Sequence, residues 1–229
     1  MSDHRPTIVA VVGGSGAGKT WLSRQIATAF PTQATCVSLD DFYRDQSHLK
    51  PSERSLINYD DPNAIEWDLL KEFLAVFRGN HAARVPRYEF ASHCRSDAGT
   101  NCMPTPLLVI EGLWLLTHPE VRALFDLSIY LDCPAHVRLE RRLARDVVER
   151  GRHLEDVRRQ FESVVAPMHL AHVEPQRRFA NIVLHHPVSE LDVEAVVGRV
   201  AQLLHGEGEQ EVATAAASQW ERNDWRDVA

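Results

Sequence analysis

The segment that most limits the fold is a glycine-rich octapeptide, GGSGAGKT, which follows an apolar, β-branched run, TIVAVV. Such runs are typical of strands buried on both faces of a parallel sheet. The octapeptide spans Gly13 to Thr20 and matches the pattern G-x-x-x-x-G-K-[ST]. Its glycines let several backbone N–H groups point at phosphate oxygens, and the start of the helix that follows favours an anion. The pattern therefore predicts a strand, a phosphate-binding turn and a helix.

The octapeptide also indicates which residues contact the nucleotide. We expect Lys19 to reach the β- and γ-phosphates and the Thr20 hydroxyl to bind Mg²⁺. The whole turn would surround the phosphates: Gly13, Gly14, Ser15, Gly16, Ala17, Gly18, Lys19 and Thr20. The pattern leaves open whether the nucleotide is ATP or GTP and what happens to its phosphate.

Further apolar runs alternate with amphipathic segments along the chain. Strands are predicted over Thr7–Val12, Thr35–Leu39, Leu107–Ile110, Leu127–Leu131 and Asn181–Leu184, and helices over Lys19–Phe30, Glu66–Phe77, Ala135–Glu149, Leu154–Ala166 and Leu191–Leu204. This alternation predicts an α/β fold with a mostly parallel five-stranded sheet. Ligands of such sheets bind beyond the carboxyl ends of the strands. Asp40 and Glu111 each follow a predicted strand.

Length and charge narrow the class of protein. The 229 residues suit one domain, predicted over 1–204, and the polar remainder, 205–229, is predicted to be a flexible tail that includes Trp220 and Trp225. A net charge of −7 argues against nucleic acid as a partner. The four cysteines form no CxxC pair, and no apolar run is long enough for a membrane span. We therefore expect a cytoplasmic protein with a small-molecule substrate.

Two carboxylates are candidates for chemistry. A kinase that acts on an alcohol needs a carboxylate that orients the hydroxyl group and accepts its proton, and Asp40 lies at a suitable strand end. An acid after a neighbouring strand typically binds Mg²⁺ directly or through water, which suits Glu111. Helix capping or a turn is the alternative role for each of them.

Arginines are concentrated on one predicted helix. Arg138, Arg142 and Arg145 lie three, four and seven residues apart, which places them on one face. Arg141 lies beside them, and Arg150 and Arg152 flank Gly151 at the end of the helix. For Arg138 and Arg141, an ordinary solvent-exposed face is an open alternative.

Seven short segments in order resemble the uridine kinase family over about Thr7 to Leu184. They are GGSGAGKT, SLDDFYRD, NYDDPNAIEWDLL, VPRYEFASHCR, VIEGLWLL, RRLARDVVERGR and QFESVVAPMHLAHVEPQRRFANIVL. The resemblance implies a three-layer P-loop NTPase fold with an arginine-rich helical lid at about 135–160 and a small nucleoside-binding insertion. It also implies Mg²⁺- and ATP-dependent phosphorylation of the 5′-hydroxyl of uridine or cytidine, in pyrimidine salvage, by an enzyme that often forms homo-oligomers.

Roles for individual residues follow from the same resemblance. Catalytic roles are implied for Asp40, Lys19, Arg142 and Arg145, and contacts with ATP for Arg150 and Arg152. Contacts with the nucleoside are implied for Tyr43, Asp60, Tyr88, His93, Arg142 and Gln160. A neutral imidazole at position 93 could meet either the 4-oxo or the 4-amino group of a pyrimidine.

A phosphate-binding loop is also compatible with other functions. A related kinase could act on pantothenate, nicotinamide riboside or ribulose phosphate, although a phosphorylated substrate would need more basic residues near the Tyr88–His93 segment than Arg87 and Arg95. A GTPase should carry an [NT]-K-x-D element, and none of the three lysines lies in one. A binding module without turnover should have lost Asp40 or Lys19, and both are present.

Overall fold

A computed structural model describes residues 5–54, 56–148 and 151–205. The seven strands are β1 Thr7–Gly13, β2 Ala34–Ser38, β3 Ala83–Glu89, β4 Cys94–Cys102, β5 Leu107–Gly112, β6 Leu127–Asp132 and β7 Ile182–His185. Five of them form a parallel sheet in the order β2-β5-β1-β6-β7. The predicted five-stranded sheet is thus confirmed, and each strand lies within two residues of its predicted bounds.

Helices cover the sheet. The α-helices in the described part of the chain are α1 Lys19–Ala29, α2 Pro51–Arg54, α3 Trp67–Arg78, α4 Pro119–Arg122, α5 Ala135–Val148, α6 Leu154–Gln160, α7 Ala166–Met168 and α8 Glu190–His205. Short 3₁₀ helices occupy Leu39–Phe42, Pro62–Ala64 and Glu174–Phe179. Within these ranges, no helix is both long and apolar enough to cross a bilayer.

Alternation along β1 explains why the molecule has three layers. Ile8, Ala10 and Val12 pack into one apolar cluster together with α3, whereas Val9 and Val11 pack into a second cluster with α1 and α8. Successive strand residues point to opposite faces, so a strand that is apolar at every position must be covered on both sides. The sheet is therefore the middle layer between two sets of helices.

Two regions depart from the predicted pattern. The β3 and β4 strands form a separate antiparallel pair, which was predicted only as an insertion without assigned structure. The predicted helix over 154–166 changes to π-helical geometry at Phe161–Val165, and a second π-helical turn, His169–Val173, follows beyond its predicted end. Apolar periodicity cannot distinguish π from α turns, because both present recurrent apolar residues to the core.

Three predictions fall wholly or partly outside the described residues. Arg150 lies outside them, as do Trp220 and Trp225. Helix α8 ends at His205, and the rest of the predicted tail, 206–229, is not described.

Candidate active site

The phosphate loop joins β1 to α1, as predicted. Gly16 and Gly18 have φ values of 81° and 100°, a region that favours glycine. The Gly14 carbonyl accepts hydrogen bonds from the Ala17 N–H at 3.0 Å and from Lys19 Nζ at 3.1 Å. The loop is therefore closed by its own backbone, and the lysine is folded back against it.

Strand register brings the two predicted carboxylates to the loop. Glu111 on β5 pairs with Val11 on β1 and with Ser38 on β2. The Thr20 hydroxyl donates to Glu111 Oε1 at 3.0 Å. Asp40 lies two residues beyond Ser38, in the first turn of a 3₁₀ helix, and its N–H donates to Ser38 Oγ at 3.2 Å. The ends of three neighbouring strands thus supply these groups: β1 leads into the phosphate loop, β5 carries Glu111, the candidate Mg²⁺ ligand, and β2 leads to Asp40, the candidate base.

These groups line one cavity of about 260 Å³. Lys19, Thr20, Asp40, Glu111 and Arg145 all line it, together with loop residues. Its lining also includes Trp21 and Arg141, to which the sequence analysis gave no site role. The geometry therefore brings together the predicted phosphate, metal and base residues in one space.

Burial shifts the proton affinities in this cavity. Burial and, to a smaller extent, the Glu111 carboxylate together raise the pKa of Asp40 to about 6, while the Lys19 ammonium opposes the shift. Burial likewise lowers the pKa of Lys19, against the attraction of Glu111 and Asp40. A carboxylate with a pKa near neutrality is ionised at pH 7 and remains basic enough to take a proton.

The histidine, cysteine, aspartate and glutamate side chains of the described residues form no cluster of three or more that could hold a metal ion by themselves. Mg²⁺ does not require one, because it usually binds one or two protein oxygens together with substrate phosphates and water. The Thr20 hydroxyl and the Glu111 carboxylate, 3.0 Å apart beside the phosphate loop, fit that requirement.

The predicted lid arginines converge on a carboxylate that sequence reasoning missed. Asp146 is fully buried, and Arg142, Arg145 and Arg152 approach it at 3.5, 2.9 and 3.5 Å. The i,i+4 spacing from Arg142 was the available signal for this contact. Gln160 joins the group, because its Oε1 accepts from Arg142 at 3.0 Å and from Arg152 at 2.8 Å.

Arginines of α5 pack against the phosphate loop, and Arg141 Nη1 donates to the Gly16 and Ala17 carbonyls at 3.4 Å. Arg142 Nη1 donates to Ser15 Oγ at 3.0 Å. Arg138 is only 3% exposed and donates from Nε to the Cys133 carbonyl, so the solvent-exposed alternative is wrong for Arg138. Its backbone lies against Gly16, where a Cβ atom would clash with it. The α5 helix therefore packs on the loop through an inward-facing arginine.

The predicted nucleoside residues line the neighbouring region of the structure. His93 stacks on Tyr59 with ring centroids 4.3 Å apart, and its Nδ1 lies 3.5 Å from the Tyr88 hydroxyl. Tyr43 packs against Tyr88 at 5.1 Å and donates its hydroxyl to the Tyr59 carbonyl. The tip of the β3–β4 hairpin thus presents an aromatic wall.

Asp60 and Arg142 connect this wall to the phosphate loop. Burial raises the pKa of Asp60, and the Arg142 guanidinium opposes the rise. Asp60 shares a small second cavity with Ser15 of the loop. Asp60, which follows Tyr59 of the aromatic wall, therefore lies close to the phosphate loop.

Comparison with known proteins agrees with this geometry. The family model described as "Phosphoribulokinase / Uridine kinase family" matches residues 8–193. The chain belongs to the phosphoribulokinase/uridine kinase family. A similar protein named uridine kinase from Clostridium tetani is 37% identical, and the match covers 87% of this chain and 97% of that protein. A second, from Halobacterium salinarum, is 38% identical, and the match covers 84% of this chain and 85% of that protein.

Solved structures agree on the fold. Phosphoribulokinase from Rhodobacter spheroides superposes with a TM-score of 0.59 over 80% of this chain and 71% of its own, at 18% identity. D-glycerate 3-kinase from Cryptococcus neoformans superposes with a TM-score of 0.57 at 16% identity. The match covers 81% of this chain and 88% of that chain. Proteins named for different acceptors thus share this fold, so the fold alone does not identify the acceptor.

Proposed function

We propose that this chain is a uridine/cytidine kinase that transfers the γ-phosphoryl group of ATP to the 5′-hydroxyl of a pyrimidine nucleoside. The observation that carries the proposal is the cavity lined by Lys19, Thr20, Asp40 and Glu111, together with the packing of Tyr43, three residues after Asp40, against Tyr88 at 5.1 Å. The uridine kinases named above, which are similar over nearly their whole length, support the same acceptor. A cytoplasmic location and a homo-oligomeric state stay predictions.

The donor would bind with its β- and γ-phosphates in the loop. Lys19 and Arg145 both line the cavity and would neutralise the charge of the transferring group. Thr20 and Glu111 would hold Mg²⁺, which supplies charge neutralisation for the phosphates when bound. Arg142, Arg152 and the undescribed Arg150 would complete the lid that excludes water.

Asp40 would act on the acceptor. Its carboxylate would orient the 5′-hydroxyl and take its proton as the oxygen forms a bond to the γ-phosphorus, while the bond to the β-bridging oxygen breaks and ADP leaves. The raised pKa of Asp40, about 6, suits this transfer at neutral pH.

The acceptor pocket favours a neutral nucleoside. Asp60 would accept hydrogen bonds from the ribose, while Tyr43, Tyr88 and His93 would contact the base. Gln160 would offer its amide nitrogen to the sugar, because its oxygen is already bonded by two lid arginines. A half-buried carboxylate at position 60 would repel the phosphate of a ribulose phosphate.

A substrate panel tests the proposal. Purified protein with MgATP is offered uridine, cytidine, adenosine, nicotinamide riboside and pantothenate, and products are separated by chromatography. We expect UMP or CMP. The Asp40→Asn variant should lose at least about 100-fold in turnover, since a general base typically contributes 10²–10⁴-fold, while it still binds ATP.

Asp41→Asn is the matched control, because it removes the adjacent carboxylate and should keep most of the turnover. Phosphorylation of pantothenate or nicotinamide riboside in preference to both pyrimidine nucleosides would refute the acceptor assignment. Full turnover by Asp40→Asn would refute the role of Asp40.

A further inference from the structure

Trp21 is an exposed tryptophan in the lining of the candidate active site. It follows Thr20 directly, in the first turn of α1, and it is 38% exposed, whereas Trp114 is 1% exposed. Lys19 and Glu111 line the same cavity. Among the described residues, no aromatic ring or guanidinium group stacks on Trp21. An indole beside the phosphate loop is therefore open to a ligand.

Arg141 lies next to the beginning of the same helix. Its Nη1 donates to the Gly16 and Ala17 carbonyls at 3.4 Å and lies 3.6 Å from the position that a Cβ atom on Gly18 would occupy. Gly18 precedes α1 as its cap, and Trp21 follows it by three residues, a spacing that places both positions on one face of the helix. Arg141 is also exposed and lines the cavity. An indole and a guanidinium group thus border the cavity near the start of α1.

The adenosine part of a nucleotide needs a different surface from its phosphates. A purine is a neutral, planar ring, and bases in proteins stack on aromatic side chains and on guanidinium planes. The carboxylates and the ammonium group assigned above to Mg²⁺, the acceptor hydroxyl and the phosphates offer no such surface. Arg145, the other arginine of the lining, is held by the Asp146 carboxylate at 2.9 Å. Trp21 and Arg141 are thus the lining residues whose chemistry matches a purine.

We propose that Trp21 and Arg141 bind the adenosine part of the donor and that the purine stacks on the Trp21 indole. The inference rests on the function proposed above, because it takes ATP as the ligand of the phosphate loop. Trp21 directly follows Thr20, the candidate Mg²⁺ ligand, so it borders the space in which the phosphates would lie. The purine takes no part in the transfer, and its contacts are the same before and during the reaction. Trp21 should therefore set the affinity for ATP and leave kcat unchanged.

Calorimetry with two probes separates the adenosine contact from the phosphate contacts. MgATP and magnesium-bound inorganic triphosphate are titrated into the full chain without any nucleoside. Trp21→Ala should weaken MgATP binding about 5- to 150-fold, the usual effect of losing one base–aromatic stack, and should change the Kd of triphosphate less than about twofold. Trp21→Phe keeps an aromatic face and should fall between Trp21→Ala and wild type. Arg141→Lys keeps the charge but loses the guanidinium plane, so it should weaken MgATP about 2- to 5-fold and spare triphosphate.

Phe179→Ala is the matched control. Phe179 is also 38% exposed, and its carbonyl accepts from the Ser128 hydroxyl near the amino end of β6, at the edge of the sheet opposite the phosphate loop. This variant should bind both probes as wild type does. The proposal is overturned if Trp21→Ala binds MgATP as tightly as wild type. It is also overturned if Trp21→Ala loses the same factor for both probes, which would indicate a distorted loop.

The same titrations keep this inference distinct from the proposed function. If wild type binds MgATP but phosphorylates no pyrimidine nucleoside, the acceptor assignment fails and the Trp21 contact stands. If wild type binds neither probe, both fail. Indole fluorescence is a second readout that does not depend on triphosphate: MgATP should quench the emission of wild type more than that of Trp21→Phe, and equal quenching would overturn the stacking on Trp21.

Discussion

The replacement of Asp40 by asparagine should make the free protein more stable while it removes activity. The pKa of a carboxyl group in an unfolded chain is near 3.8, and burial raises the pKa of Asp40 to about 6 in the folded protein. The ionised form is therefore held in the fold at a free-energy cost, which an isosteric neutral amide does not have.

The structure gives the size and the pH window of the effect. A difference of about 2 pKa units corresponds to about 3 kcal/mol. Asp40 keeps partial exposure, so solvent screening reduces the expected gain to about 1–2 kcal/mol. The gain should be complete above about pH 7, decline as the pH falls through 6, and vanish below about pH 4, where the carboxyl group is protonated in both states.

Urea unfolding at pH 8, 6.5 and 5, without nucleotide or Mg²⁺, measures this difference. Asp45→Asn serves as a control of opposite sign. Hydrogen bonds from the Ser47 side chain and from the Arg95 N–H lower the pKa of Asp45, so its replacement should destabilise the protein at neutral pH. The reasoning fails if Asp40→Asn is less stable than wild type at pH 8, or if its advantage does not shrink between pH 8 and 5.

Three further predictions concern the same site. The kcat/KM for the nucleoside, measured at saturating ATP, should fall with unit slope below about pH 6, because Asp40 must be ionised to accept a proton; a flat profile down to pH 5 would contradict this. Asp146→Asn should lower the free energy of unfolding in urea by about 3 kcal/mol, since it leaves buried guanidinium groups uncompensated; a loss under 1 kcal/mol would mean that the arginines find other partners. Gly16→Ala should weaken ATP binding at least tenfold by calorimetry, because a Cβ atom there meets the Arg138 carbonyl; Gly198→Ala, which meets no atom, should bind ATP normally.

Local sequence patterns were sufficient for the sheet and the phosphate loop. The run over residues 7–12 is typical of a strand covered on both faces, and the glycines of the octapeptide are typical of a turn whose N–H groups converge on phosphate. Both signals lie within a dozen neighbouring residues. Such signals do not depend on which distant segment packs against them, which is why the strand bounds and the loop were predicted closely.

The partners of each site residue were decided by tertiary structure. Glu111 meets Thr20 because β5 lies between β1 and β2 in one particular register, and no local pattern encodes a register between strands about 70 residues or more apart. Arg138 looks like part of a charged surface face in the sequence, yet it points into the molecule because the phosphate loop covers it. Likewise, Asp146 is a single acidic residue in the sequence. It matters because long-range packing excludes water around it, and burial turns an ordinary carboxylate into an anchor for arginines.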